Sequence, residues 1–213
     1  MINLLKSDYI NAFSLTGKDY TVEHSEYKGK VAFADPKSCR ECVSKVCSDT
    51  NREQVFVVES KDVITVVEIE KYFNQFRSER AKPRKRCDLM LYSLDKIAFV
   101  ELYCGQQQFL TPYQNTKGEQ PGKIARARQQ ISCTIDKLTE VETIKNRIHT
   151  FKECIGLFAY RKKYDIVNGA EEQSMVDFME MSENIASDPQ SYTVLSNGVP
   201  FHTVTYPTIF QWT

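Results

Sequence analysis

Two acids stand out of pattern between Arg86 and Tyr103 (RCDLMLYSLDKIAFVELY), where Asp88 and Glu101 interrupt otherwise apolar and aromatic runs. If Leu94 and Asp95 form a two-residue turn, paired positions sum to 189 and Asp88 falls directly across from Glu101. Opposed residues on antiparallel strands have Cβ atoms about 4.5–5.5 Å apart, a spacing at which like charges repel. A sequence that tolerates this repulsion is suited to hold a cation, and hard carboxylate oxygens suit a divalent one. Leu89, Leu91, Ala98, Val100 and Leu102 take the other face of both strands, so one face reads as core and the other as site. Glu68 and Glu70, sharing a face of the preceding apolar run, either add a third carboxylate or point to solvent near a strand end.

A basic connection leads into this hairpin. Arg77, Arg80, Lys82, Arg84, Lys85 and Arg86 cluster around one proline. Such a run is either a solvated loop or, because it abuts Asp88, an electrostatic footprint for phosphate. The register that opposes the two acids also sets Arg86 against Tyr103, one same-face pair along.

The elements that must position these side chains follow from hydrophobic period. Val55–Val58 and Val63–Ile69 are continuous and β-branched, as expected of strands in a covered sheet. After a Gly- and Pro-containing loop over 111–122, a long helix is expected from near Pro121 to about His149. Its apolar stripe is Ile124, Ala127, Ile131, Ile135 and Leu138, with a phase shift before Ile144 and Ile148. Gln130 borders the stripe, and Lys123, Arg126 and Arg128 flank its start. Residues 153–160 supply a further buried strand, so the middle of the chain reads strand, strand, strand, long helix, strand.

The ends are less regular. A weak helical signal (Leu4, Leu5, Ile10, Phe13) opens the chain. Cys39 and Cys42 have the spacing of half a zinc site, with Cys47 and His24 as further ligands. Yet Asp35-Pro36 is a helix start, and Cys39, Cys42, Val43 and Val46 then form a helical stripe. The packed-helix reading is preferred and no zinc is expected. An acidic amphipathic helix over 171–187 precedes a hairpin from Tyr192 to Tyr206, turned at Asn197-Gly198 in type I′ geometry, with Pro200 making its second strand an edge. His202 reads as structural, and Trp212 as cover for apolar surface.

With 213 residues and 28 basic against 28 acidic side chains, the chain is long enough for a sizeable core, and binding to nucleic acid would need a local patch. No apolar run approaches a membrane span and the N-terminus lacks a signal-peptide pattern. The seven cysteines, odd in number, fit reduced thiols. A soluble, cytoplasmic protein without membrane contact is expected. One domain is expected, with an N-terminal elaboration over 1–55, a core over 56–165 and a C-terminal extension over 166–213.

Arg-Cys-Asp88, then Phe-Val-Glu101-Leu-Tyr103, then Ala-Arg-Gln-Gln130 on the helix, in this order of elements over roughly residues 60–160, resemble the core of the PD-(D/E)XK nuclease-like superfamily. The resemblance implies an α/β fold with a mixed sheet and a restriction-endonuclease-like core. It also implies that Asp88 and Glu101 bind Mg²⁺ or Mn²⁺ and that Gln130 stands beside the site; Glu70, from the strand pattern above, is a further candidate ligand. Nucleic acid would be the partner, contacted by Arg84, Lys85, Arg86, Lys123 and Arg126; a protein partner or a second copy of the chain is also open.

The chain departs from that pattern in one place: Tyr103 stands where the family has lysine. A phenol with an ordinary pKa near 10 activates water poorly at neutral pH. Arg86 is therefore the first choice of substitute cation and Lys123 the second, although arginine cannot act as a base. Three readings remain: a metal-dependent nuclease, a pseudonuclease kept for binding nucleic acid or a protein, and a structural domain in which Asp88 is merely ion-paired.

Overall fold

The computed structural model of the chain describes residues 1–15, 18–35, 46–47, 54–162 and 193–213. Its N-terminal helical stretch runs through Ile2–Leu4 (α1), a π-helical turn Leu5–Tyr9 and Ile10–Ala12 (α2), burying Leu5 and Tyr9. There follow β1 (His24–Ala34), β2 (Val46–Cys47), β3 (Gln54–Val67), α3 (Ile69–Asn74), β4 (Leu89–Tyr92) and β5 (Lys96–Gly105). A small hairpin, β6 (Tyr113–Asn115) and β7 (Gly118–Gln120), precedes α4 (Lys123–Thr139), α5 (Glu142–His149) and β8 (Glu153–Lys162). The chain closes with β9 (Thr193–Val194), β10 (Pro200–Thr205) and β11 (Ile209–Trp212).

The result is a mixed α/β fold around one sheet in the order β2-β1-β3-β4-β5-β8-β10-β9, with β11 pairing to β3. Strands β3, β4 and β5 form an antiparallel meander, and β5 then pairs β8 in parallel from Lys96↔Glu153 to Gly105↔Lys162. Parallel neighbours need a crossover, and α4 with α5 supplies it. The expected series of three strands, helix and strand is thus present as β3, β4, β5, α4–α5 and β8.

Both faces of the sheet are core, in place of the expected division into a core face and a site face. On the helical face Met90, Ile97, Phe99 and Phe158 pack with Ala127, Ile131, Ile135 and Leu138 of α4, and with Leu5 and Tyr9. Gly156 makes that approach close, since a Cβ there would lie 3.0 Å from Ile131 Cγ2. The opposite face gathers Phe33, Phe56, Val58, Leu89, Leu91, Val100, Leu157 and Trp212. The N-terminal segment is stitched to the body by Tyr72 Oη donating to Leu5 O (2.7 Å) and Tyr9 Oη donating to Ala81 O (2.6 Å).

Several elements differ from the sequence expectation for local reasons. The two runs around 55–58 and 63–69 are one strand: Glu59–Asp62 is no turn, because the pairing with β1 merely shifts there, aided by Gly29 at φ +86°. Ile69 belongs to α3, and Glu68 occupies the N-cap position of that helix, so Glu68 and Glu70 do not share a strand face. The long helix is two, broken where Val141 leaves helical geometry (φ −97°, ψ 111°), which accounts for the phase shift. The loop over 111–122 contains the β6–β7 hairpin.

At the ends, Val46 pairs with Phe33 as a strand, so the helical stripe does not extend to it; Cys39, Cys42 and Val43 lie outside the described residues, as does the expected helix over 171–187. The hairpin near the C-terminus forms, but Ser14 is the positive-φ non-glycine among the described residues, so Asn197-Gly198 is not a type I′ turn. Gly198 N donates to Leu195 O (2.9 Å) and Leu195 N to Val199 O (2.8 Å), a three-residue loop with Gly198 (φ +82°) as its left-handed member. Strand β10 lies between β8 and β9, and Pro200 is tolerated as its first residue.

Under β11 lies a polar cluster within the apolar face. The Lys96 side chain, 8% exposed, meets Glu153 at 3.0 Å and lies 5.1 and 5.3 Å from the ring centres of Phe210 and Trp212. His202 lines the same cavity, and its pKa is lowered from 6.5, first by burial and then by Lys96, against an opposing pull from Glu153. With the folded pKa below the unfolded one, the unfolded chain binds the proton more readily. Stability is therefore full above about pH 6.5 and falls as pH drops through the window below it. Urea midpoints measured from pH 7.5 to 5 should decline, and the decline should be shallower in His202→Gln.

Candidate functional site

Strand β5 outruns β4, and the site lies where it does. The β4–β5 register holds from Tyr92↔Ile97 to Leu89↔Val100, as the two-residue turn at Leu94-Asp95 dictates. There the ladder stops. Cys87 packs on the helical face although Leu89 packs on the opposite one, so the alternation breaks between them. Asp88 N donates to Val100 O (3.0 Å), and the Asp88 carboxylate takes over the next ladder bond, with Oδ2 accepting from Leu102 N at 2.8 Å. Asp88 O in turn accepts from Glu70 N (3.2 Å).

Beyond this point Glu101 and Tyr103 project on the helical face, flanked by β8 at Phe158 and Tyr160. Helix α4 passes above them. Gln130 Nε2 donates to Glu101 Oε1 (2.6 Å) and to Arg86 O (3.1 Å), two acceptors that fix which way the amide faces. One turn on, Thr134 Oγ1 accepts from Cys87 N (3.0 Å) and donates to Gln130 O (2.8 Å). The helix therefore clamps the 86–87 backbone and the Glu101 carboxylate together.

Two clefts open here and share a wall. The first, about 300 Å³, is lined by Glu101, Tyr103, Lys123, Arg126 and Gln130, with Asp35 at its side. The second, about 250 Å³, is lined by Glu70, Arg84, Lys85, Arg86, Arg126 and Gln130. Asp88, 1% exposed, lies beneath and forms no part of either wall.

The expected residues are thus only partly brought together. The predicted face-to-face opposition of Asp88 and Glu101 is replaced by a stagger: Asp88 binds the amide that follows Glu101, and Glu101, 7% exposed, opens on the cleft. Glu70, in the first turn of α3, lines the second cleft and is not part of the first. Because strand pairing ends at Leu89, Arg86 does not oppose Tyr103; it too lines the second cleft. The cation beside Tyr103 is Lys123, whose Nζ lies 4.9 Å from the ring centre.

Tyr103 is held in place by packing. Its ring stacks toward Phe158 at 6.2 Å, and a Cβ at residue 105 would come within 2.3 Å of its hydroxyl, so Gly105 gives the ring its room. Burial raises the phenol's pKa, and the charges of Cys104, Tyr113 and Asp35 add to this. It is accordingly no base at neutral pH.

Sequence reasoning placed Asp35 only as a helix cap. It directly follows β1, is 5% exposed, and its Oδ2 accepts from Cys104 N at 3.4 Å. The usable signal was the apolar run Val31–Ala34 stopping at an acid followed by proline, a strand end as readily as a helix start.

A magnesium-like ion binds through one or two carboxylates, completing its shell with water and substrate phosphate. Asp88 accepts from Leu102 N and Glu101 from Gln130 Nε2. No group of three His, Cys, Asp or Glu that could hold a metal occurs among the described residues. No described helix is long and apolar enough to cross a membrane. Compared with family models, curated proteins and solved structures, the chain matches none.

Proposed function

We propose that the chain is a nuclease-like protein of the PD-(D/E)XK type that acts on nucleic-acid phosphodiesters with Mg²⁺ or Mn²⁺. The observation that carries this is the convergence, on one cleft, of Glu101 from β5 with Lys123 and Arg126 from the first turns of α4. Asp88 and Glu101 would hold the ion. When bound, it lowers the pKa of a coordinated water and neutralises phosphate charge. Lys123 and Arg126 bind the phosphate oxygens and oppose the charge that builds on them. Gln130 fixes the rotamer of Glu101, and Tyr103 serves as the surface over which Lys123 extends.

A second reading, a pseudonuclease that binds without cutting, draws on the engagement of Asp88 with Leu102 N outside the cleft wall. One assay separates them. Supercoiled plasmid, single-stranded DNA and RNA are incubated with the protein in Mg²⁺ or Mn²⁺ and EDTA. The nuclease reading expects cleavage that needs the metal and falls at least about 10²-fold in Glu101→Ala. Gel shifts with no cleavage in either metal would leave the binding module, and neither binding nor cleavage would end both.

A further inference from the structure

We propose that the pocket walled by Arg84, Lys85, Arg86 and Arg126 is a second phosphate subsite. It would receive the phosphate next along the strand from the one in the Glu101 cleft, making the ligand a polynucleotide strand gripped at consecutive phosphates. This rests on the nuclease-like reading and adds to it the size of the ligand: a mononucleotide or a terminal phosphate fills only half the site.

The charge placement carries the inference. The chain as a whole is neutral, yet four cationic side chains and a single carboxylate, Glu70, surround this pocket of about 250 Å³. None of these four cations takes part in the ion pairs formed by Lys71, Lys96, Lys137, Lys145 and Lys152. Their other contacts are to neutral groups. Arg126 donates through Nε to Pro121 O (3.1 Å) and through Nη2 to Gln120 Oε1 (3.3 Å), and Lys85 donates to Gln129 Oε1.

Arg86 adds a second observation. Its Nε is buried and finds no hydrogen-bond partner, although a buried charged donor left unmatched is costly. Arg86 also lines the pocket, and an anion bound there would offset part of that cost through its charge. Finally, Arg126 and Gln130 belong to both clefts, so ligands in the two are neighbours and a continuous phosphate backbone is the polyanion that spans them. Guanidinium groups suit this role through their forked donors.

The experiment measures binding without catalysis. In EDTA, fluorescence anisotropy of a labelled 12-mer of deoxythymidylate is followed from 50 to 200 mM salt for the wild type and for Arg84→Ala/Lys85→Ala, with unlabelled thymidine monophosphate as competitor. Both replaced side chains are exposed, and matched thermal melts check that folding is unchanged. The subsite predicts binding about tenfold weaker in the double variant at low salt and a salt slope smaller by about 0.7, the share of one phosphate of a single strand. The mononucleotide should compete poorly and equally against both proteins.

An unchanged affinity and slope in the double variant, with wild-type binding intact, overturns the subsite and leaves the nuclease-like reading standing. Competition by the mononucleotide at equal phosphate concentration also overturns it. No binding by the wild type at any salt also overturns the subsite, while the metal-dependent cleavage assay still decides the nuclease-like reading.

Discussion

Lys123→Ala is expected to slow metal-dependent phosphodiester cleavage about 10²–10³-fold, the usual loss when one fixed donor is removed from developing oxyanion charge. The cause is the position of its ammonium: 4.9 Å over the Tyr103 ring, on the wall of the Glu101 cleft. Arg86, the alternative cation, faces the neighbouring pocket, so Arg86→Ala should weaken strand binding more than it lowers the maximal rate. Tyr103→Lys separates the two assignments further. Alone, it sets a second ammonium beside Lys123, where like charges repel, and should gain little. Combined with Lys123→Ala, it should recover much of the lost rate. Single-turnover cleavage of a labelled oligonucleotide by the four proteins checks this, and a large gain from Tyr103→Lys alone would show that Lys123 does not supply the cation.

The difference between the two cations shows what could be read in the chain. The register of β4 and β5 was legible because a two-residue turn and strict alternation fix it, and a slip by one residue would turn every buried side chain outward. Where that ladder ends was not legible. Nothing in the alternation says that the Asp88 carboxylate will take the Leu102 amide, or that Cys87 will pack beneath α4. Arg86 was assigned to Tyr103 by extending a pattern three residues past Leu89, where the ladder ends.

Lys123 and Gln130 had the opposite fortune. The stripe of α4 could be read from its period, and Gln130 lies on its margin. What places Lys123 over Tyr103 is long-range: the β6–β7 hairpin, the close approach of Gly122 to Leu110 O and the room left by Gly105. Asp35 was missed for the same kind of reason, since its meeting with Cys104 joins strands 69 residues apart in the chain.

Asp88 stands at the junction of these failures, and its two simplest replacements should behave differently. Asp88→Ala removes the acceptor of the buried Leu102 N–H. A buried donor left unsatisfied costs about 1–3 kcal/mol, and the upper half of that range is expected because the bond lost is charge-assisted. Asp88→Asn keeps an oxygen for the amide and should stay within about 1 kcal/mol of the wild type, as a bond with similar geometry survives. It nevertheless removes one of two anionic ligands, so Mn²⁺ binding by calorimetry and cleavage should both fall by at least about 10²-fold. Urea denaturation and metal titration of both variants check the separation. If Asp88→Asn binds Mn²⁺ as the wild type does, Asp88 only completes the strand ladder. The cleft would then hold Glu101 without a second ligand, and binding without cleavage would become the better account.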